Sequence, residues 1–446
     1  MASKNSSASP SNESSFPAFG LIPAGGGAPQ RTARAGDGIV GRMDDGDVTR
    51  LVDWLIEAGL AGESETALLA GFCGRVTDAG LDVGRALVII DTLHPIHEGR
   101  AFRWRSDKPG DAEVIEYGPT REGEAAERWR RSAFYQLVES GESLFRQSLL
   151  DRGGPDYFTF DEYRADGMVD YVAFIHRFAA DGVIGEMDCV YSAWATSAPA
   201  GFSESDVAAL RRLSAALGLA VKSASLARIA ATLVETYLGR DAGRRVLNGK
   251  IVRGVAEEIR AVIWFSDLRG YTGISDAAAP QHIIPFLNDY ADAIISAVQG
   301  EDGDVLKLIG DGILAIFTAE SPERACAQAL AAAAAAQRHV TALNARRRSA
   351  GLPATEFYLG LHAGEMFYGN IGSIDRLDFT VVGPAVNEAS RIAAMCRSVE
   401  QPVLLSSTFV QEAGEQARRG FVSVGRYALR GVGRPQELFT LDRSRE

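Results

Sequence analysis

Apolar positions along this chain recur in two rhythms, one helical and one continuous. Val48, Leu51, Val52, Leu55 and Ile56 follow helical spacing and predict an amphipathic helix starting near Asp47, with a second helix over about 67–77. Apolar runs at 86–92, 167–179 and 189–196 then read as strands, with Trp, Tyr and Phe concentrated through this half. A long helical pattern from Ser203 to about Tyr237 closes the region, opened by Ser203 with Glu204 and Asp206 in its first turn. From 226 to 258 the chain reads as helix, a break at Gly239 or at Asn248-Gly249, and a charged connector ending at Arg260. Such a segment can transmit twist between paired domains or serve as a plain tether.

The second half has a different order. Ala261 to Phe265 is a continuous apolar run, the pattern of a buried strand that delivers Ser266 and Asp267 to its carboxyl end. A helix is predicted from about Pro280 to Val298, its apolar face marked by Ile283, Leu287, Tyr290, Ile294 and Val298. Next comes a hairpin with arms at 304–309 and 313–317, where Gly310-Asp311-Gly312 would supply positive φ angles. A second long helix over 321–348 precedes strands at 357–362, 379–382, 402–405, 421–429 and 438–441. Strand, helix, strand, strand, helix, strand is the ferredoxin-like order. The predicted fold is therefore α+β: a tail at 1–45, an α/β domain at 46–225, a helical linker at 226–258 and a ferredoxin-like domain at 259–446.

Composition narrows the partners. With 446 residues, 46% hydrophobic and 23% charged, the chain can bury two or three cores. Its net charge of -12 argues against nucleic acid or an anionic membrane surface as a general partner. Cys73, Cys189, Cys326 and Cys396 stand apart with no CxxC spacing, so neither a disulfide framework nor a zinc site is indicated, and a reducing, cytoplasmic compartment fits. No run reaches the roughly 18 consecutive apolar residues of a membrane span. Residues 1–45 are rich in Ser, Gly, Ala and Pro without a basic start and apolar block, and read as a flexible tail.

The candidate chemistry sits on two aspartates. Asp267 and Asp311 each fall where a strand gives way to a glycine-bearing turn, so each carboxylate would project past the sheet edge near free backbone N–H groups. Two such carboxylates, joined by a helix and a strand, suggest a two-metal phosphoryl-transfer site. A third element follows the strand ending at Gly383: a helix opened by Pro384 puts Asn387 and Arg391 four residues apart on one face. A fixed amide beside a fixed guanidinium can hold a sugar oxygen and phosphoryl charge together; a solvated surface helix is the plain alternative. His94 and His97 bracket a turn without a carboxylate placed by spacing, His282 and His339 read as helix-surface residues, and His362 reads as structural among apolar partners.

Five blocks, in order, resemble the class III nucleotidyl cyclases: Phe-Ser-Asp-Leu-Arg-Gly-Tyr-Thr at 265–272, Lys-Leu-Ile-Gly-Asp-Gly at 307–312, Gly-Leu-His-Ala-Gly at 360–364, Gly-Asn-Ile-Gly at 369–372 and Thr-Val-Val-Gly-Pro-Ala-Val-Asn-Glu-Ala-Ser-Arg at 380–391. The resemblance spans roughly residues 258–442. It implies two divalent ions, Mg2+ or Mn2+, on Asp267 and Asp311 with the carbonyl of Leu268 as a further ligand. It also implies a triphosphate cradle from Leu268, Arg269, Gly270, Tyr271 and Thr272. By the same resemblance Lys307 and Thr380 would read the base, Asn387 would orient the ribose and Arg391 would stabilise charge on the reacting phosphorus. Arg430 stands where the family commonly places a lysine, which keeps the charge and changes the hydrogen-bond geometry. Active sites in the family are shared across a dimer, so a homodimer with ATP as substrate is expected.

Donor and acceptor patterns favour adenine. Its N1 accepts and its N6 donates, matching a lysine ammonium and a threonine hydroxyl, whereas guanine presents the reverse and would leave a buried donor unpaired. Guanylate cyclase and a non-catalytic nucleotide-binding module stand as the alternatives. In the first half, the order of helices, strands and closing helix resembles GAF-type sensory domains by architecture. Trp54, Trp104, Trp129 and Trp194 there fit core packing or an aromatic-lined pocket for a small-molecule ligand.

Overall fold

Reciprocal side-chain caps open the first helix. Asp44 accepts from the Asp47 N–H at 2.7 Å while Asp47 accepts from the Asp44 N–H at 3.0 Å, satisfying two of the donors a helix start leaves over. The computed structural model describes residues 43–108, 110–151, 155, 157–179 and 183–442, so the expected tail lies, up to residue 42, outside the described residues. The described chain divides into two units, with the boundary between Leu233 and Val234.

In the N-terminal unit, α1 (Asp45–Ala61) and α2 (Glu65–Asp78) precede three strands, β1 (Arg85–Asp91), β2 (Gly99–Arg105) and β3 (Glu113–Tyr117). Then come α3 (Gly123–Arg130), α4 (Ala133–Ser140), β4 (Leu144–Ser148), α5 (Phe160–Ala165), β5 (Asp170–Arg177), β6 (Cys189–Thr196) and the long α6 (Glu204–Leu238). The strands form one antiparallel sheet in the order β3-β2-β1-β6-β5-β4. Both faces are covered, which is why β1 reads as a continuous apolar run: Ala86, Val88 and Ile90 join the core under α1, α2 and α6, while Leu87 and Ile89 join the core under α4 and α5. Among the described residues one helix, α6, is long and apolar enough to cross a membrane by length and composition. Its Leu210, Leu213, Leu217 and Val221 are buried in the core of this unit, which accounts for much of that apolar content.

The C-terminal unit begins with the last turn of α6 and with α7 (Arg240–Leu247). It continues through β7 (Ala256–Leu268), α8 (Tyr271–Ala277), α9 (Pro280–Gly300), β8 (Asp304–Ile309), β9 (Gly312–Phe317), α10 (Pro322–Ser349), β10 (Phe357–Gly372), β11 (Leu377–Val382) and α11 (Pro384–Val399). It ends with β12 (Val403–Ser406), α12 (Ser407–Glu412), α13 (Glu415–Arg418), β13 (Phe421–Tyr427) and β14 (Gln436–Leu441). Within the sheet order β13-β14-β12-β10-β7-β9-β8, the four strands β10-β7-β9-β8 run antiparallel with α9 and α10 on one face, which is the ferredoxin-like arrangement. The opposite face is covered by α7, β11 and α11. Two strands run well beyond their apolar cores. The segment 256–260, expected as a charged connector, is the first part of β7, with Glu257, Glu258 and Arg260 in register with Tyr368, Phe367 and Glu365 of β10.

Two glycines let α11 lie on β10. A Cβ on Gly360 would stand 2.6 Å from the backbone nitrogen of Ala393 and 2.8 Å from the carbonyl oxygen of Ala389, and one on Gly364 would meet the Ala385 Cβ at 2.8 Å. Backbone cannot move aside as a side chain can. Gly360→Ala is therefore expected to destabilise the chain by about 1–3 kcal/mol through overpacking, read as a lower thermal midpoint of the full-length protein. An unchanged midpoint would contradict the α11 packing.

Candidate active site

Strand β7 is fully buried from Ala261 to Trp264 and carries Asp267 to its exposed end. The β8–β9 hairpin brings Asp311 to the same edge through a two-residue turn, since Ile309 pairs directly with Gly312. Positive φ is confined to Gly310, at 64°; Gly312, expected to share it, is instead a strand residue where a Cβ would come within 3.0 Å of the Ser266 carbonyl. Asp311 Oδ2 accepts the Leu268 N–H at 3.2 Å. Desolvation, and then the adjoining Asp311 carboxyl, push the Asp267 pKa up to about 7, although the residue keeps contact with solvent.

Two carboxyl groups held this close cannot both ionise cheaply without a cation between them. Their hard oxygen donors suit Mg2+ or Mn2+, which take one or two protein carboxylates and complete their shell from waters and substrate phosphates. Among the described residues no group of three or more His, Cys, Asp or Glu side chains forms a metal cage. Two carboxylates are thus the protein's side-chain share.

The turn after β7 is pinned from behind. The Arg269 N–H donates to the Glu356 carbonyl at 2.8 Å, and the Thr355 hydroxyl donates to the Arg269 carbonyl. Thr355 is held in turn by the Tyr290 hydroxyl, which accepts its N–H at 2.8 Å, and by Asn344, which donates to its carbonyl at 2.6 Å. Of the expected cradle, the Leu268 and Arg269 N–H groups are therefore spent on protein acceptors. Gly270, Tyr271 and Thr272 remain, at the start of α8, where no side chain caps the helix.

A second group forms around Lys307 on β8. Its ammonium pairs with the Asp378 carboxylate on β11, and Thr380 lies two residues further along that strand, on the same face and 7% exposed. Asp378 escaped the sequence reading. Its only signal was the period-two spacing to Thr380, which marks a shared strand face without naming a partner.

A third group lies on α11, which places Asn387 and Arg391 on one face, the first exposed and the second half-buried. Gly431, with φ 74°, packs against the Arg391 guanidinium: a Cβ there would stand 3.3 Å from Nη2. The Arg430 position thus adjoins Arg391. Beside this face of α11, Glu388 turns toward His362, whose Nε2 is 3.9 Å from Oε2, while Nδ1 lies 3.3 Å from the Thr408 hydroxyl. The partners of His362 are polar, contrary to the apolar surroundings expected. Burial, and then the nearby Arg260, lower its pKa to about 4, so the ring is neutral at pH 7. His97 likewise has a carboxylate, Glu116 at 3.3 Å, supplied by neighbouring β3.

Among the described residues, no hydrogen bond or ion pair joins the aspartate pair to Lys307, Asn387 or Arg391. This arrangement can now be set beside known proteins. Residues 255–442 match the adenylate and guanylate cyclase catalytic domain. The adenylate cyclase of Anabaena cylindrica is 34% identical over 158 residues, covering 35% of this chain and 32% of that protein. Adenylate cyclase 1 of Rhizobium meliloti is 29% identical over 167 residues, covering 36% of this chain and 24% of that protein. The chain thus spans a third or less of the length of these relatives. Among solved structures, the adenylyl cyclase CyaB from P. aeruginosa aligns at 23% identity with a TM-score of 0.39, over 42% of this chain and 95% of that one. The C-terminal unit is thus similar to cyclase catalytic domains, with bacterial adenylate cyclases among its relatives.

The raised Asp267 pKa has a thermodynamic sign. Between pH 3.8 and about 7 the unfolded chain has released this proton while the folded, cation-free protein keeps it. Folding then takes up a proton, so stability falls as pH rises through that window. Thermal midpoints measured in chelator should show this decline, and Asp267→Asn should flatten it; equal slopes in both proteins would count against the carboxyl pair.

Proposed function

We propose that the chain is an adenylate cyclase that forms 3′,5′-cyclic AMP and pyrophosphate from ATP. The observation that carries this reading is the aspartate pair at the edge of the cyclase-type sheet, with a separate Lys307–Asp378–Thr380 group suited to an adenine edge. In the reaction the ribose 3′-oxygen forms a bond to the α-phosphorus while the bond to the pyrophosphate oxygen breaks. Bound divalent ions would lower the pKa of the 3′-hydroxyl and neutralise triphosphate charge. Asp267 and Asp311 would hold those ions, with the Leu268 carbonyl as a further ligand, and the N–H groups of Gly270, Tyr271 and Thr272 would face phosphate oxygens. Arg391 would stabilise charge on the phosphorus, Asn387 would orient the ribose, and Arg430 would meet the terminal phosphates.

Base choice follows from the same donors. The Lys307 ammonium can donate to adenine N1 and the Thr380 hydroxyl can accept from N6. Facing guanine, the ammonium would oppose the N1–H, leaving a donor unsatisfied in the pocket.

A homodimer with shared sites accounts for the separation of the groups within one chain. Exposed apolar side chains flank both halves: Leu308 and Ile309 beside Asp311, Phe367 and Val382 beside the start of α11. Burying such surface against a second copy is the usual fate of a contiguous apolar patch. For the N-terminal unit, the six-stranded antiparallel sheet with helices on both faces supports a GAF-like sensory domain that regulates the cyclase.

Purified full-length protein given ATP or GTP with Mg2+ or Mn2+ is expected to yield cyclic AMP and little cyclic GMP; ATP left untouched with both metals would refute the activity. Asp267→Ala and Arg391→Ala should each be inactive. Their equimolar mixture should recover about a quarter of wild-type activity, since half of randomly exchanged dimers carry one intact site of two. Persistent inactivity of the mixture, with both variants folded and exchanging subunits, would exclude shared sites.

A further inference from the structure

The segment between α6 and β7 is bound into the C-terminal unit more closely than a tether requires. Gly239 turns the chain from α6 into α7 with φ 87°, and a Cβ there would stand 2.4 Å from the Val305 carbonyl oxygen. Only glycine lets this corner rest directly on β8. Helix α7 has no side-chain cap of its own. Asp304 of β8 supplies one from outside, its Oδ1 accepting the Asp241 N–H at 3.3 Å. The second Asp304 oxygen lies 3.5 Å from the Tyr368 hydroxyl of β10. Around this point Ala242 is fully buried in a cluster with Leu306, Ile316 and Tyr368. Arg245 ties Asp241 to Glu257 of β7 at 2.5 and 2.6 Å, and its guanidinium carbon lies 5.1 Å from the Tyr368 ring centre.

What lies further along β8 gives this docking a consequence. The pairing of β8 with β9 is irregular between Val305 and Lys307, and a bulge of that kind bends its strand and re-aims the side chains beyond it. Lys307 follows Asp304 by three residues, about 10 Å along an extended strand. Asp267 and Arg391 are carried by other elements, β7 and α11, and Asp311, at the tip of the same hairpin, is tied to β7 by the Leu268 N–H it accepts at 3.2 Å.

We infer that Asp304 is a positioning residue: by capping α7 it fixes the corner at Gly239 to β8 and so sets where the Lys307 ammonium stands relative to Thr380. A disturbance arriving along α6 then reaches the base-binding group before it reaches the groups on phosphorus. It registers as altered nucleotide affinity and altered base discrimination. The inference rests on the reading of Lys307 as the base contact.

The test uses the full-length chain with Asp304→Ala, Asp304→Asn and Asp241→Pro. The last removes the donated N–H from the first helical turn, where proline is tolerated, together with the carboxylate that Arg245 holds, and Asp241→Ala, which loses only that carboxylate, is its control. Turnover of ATP and GTP is measured beside binding of non-cyclisable analogues of both. Asp304→Ala and Asp241→Pro should each raise the KM for ATP and the dissociation constant of its analogue about five-fold, the effect of misplacing one hydrogen bond. Both should lower the ATP-to-GTP preference, with kcat changed by less than about twofold. Asp304→Asn, whose amide oxygen still accepts the N–H, should stay near wild type; behaviour like alanine would overturn the capping account. Unchanged affinity and preference in both disruptive variants, or a fall in kcat alone, would overturn the coupling, and if Asp304→Ala does not fold, Asp241→Pro decides. Should the wild-type chain bind the ATP analogue yet make no cyclic product, the adenylate cyclase reading fails while the affinity comparison still judges Asp304. Binding of neither analogue would sink both.

Discussion

The pairing of β7 with β10 over the whole length of β7, from Ala256 to Leu268, is the constraint on which the C-terminal unit depends. At one end of this ladder Asp267 faces Tyr358, and the hairpin from β8 to β9 places Asp311 beside it. Toward the other end β10 continues past β7 and folds back through β11 into α11, which carries Asn387 and Arg391. Helix α11 runs back along this pair, with Ala385 over Gly364 and Ala389 and Ala393 over Gly360, so one long antiparallel pair supports both the carboxylates and the helix that bears the guanidinium. Strand rise is about 3.3 Å per residue, so a few residues of register fix where each group can stand. A slip of one residue would turn Asp267 into the core and Trp264 out of it.

The apolar runs were legible wherever burial alone decided the strand. The strands β1, β6, β8 and β9 and the helices α9 and α10 lie close to where the hydrophobic spacing places them. Three strands of the N-terminal sheet were not legible, for an electrostatic reason. In β2 the pattern Gly-Arg-Ala-Phe-Arg-Trp-Arg looks too charged to enter a sheet between two cores. Its arginines, however, find carboxylates: Arg100 meets Glu65 at 3.2 Å and Glu116 at 3.3 Å, and Arg103 meets Glu113 at 3.1 Å. Pairing depends on residues far apart in sequence, so spacing cannot reveal it. The candidate site divides along the same line. Asp267 and Asp311 announced themselves by strand-to-turn position, whereas Asp378 and the polar partners of His362 exist only through contacts across the fold.

Glu65 shows how costly such a contact can be and why it holds. The residue is 1% exposed, and its carboxylate accepts two hydrogen bonds from Arg228 of α6, one from Arg100 and one from the Ser225 hydroxyl. Desolvation is the largest influence and would raise its pKa, yet the hydrogen bonds from Arg228 and from backbone, with the charges of Arg228 and Arg100, together outweigh it and the net shift is downward. The buried charge is therefore retained, fastening α6 to α2 and β2 by charge-assisted bonds as well as by apolar packing. Removal of Arg228, which supplies two of the four bonds, would leave a buried charge under-compensated, so the geometry of α6 in this unit is specified more tightly than hydrophobic contact alone would demand.

Charge also organises the C-terminal unit. A chain of net charge -12 repels a polyanionic nucleotide at long range, so attraction must arise locally. Lys307 contributes little net field because Asp378 neutralises it; as a base contact its value would lie in directional donation. In the proposed reading, triphosphate charge would fall instead to Arg391 and Arg430, adjoining through Gly431, and to cations held by Asp267 and Asp311. The elevated Asp267 pKa makes the second contribution conditional: near pH 7 the proton and the cation compete for the same carboxyl pair, and occupancy by the cation favours ionisation of both groups. In this reading affinity for metal and affinity for the nucleotide's phosphates would be linked at a single edge of the sheet, while recognition of the base would be carried by the neutral ion pair on β8 and β11.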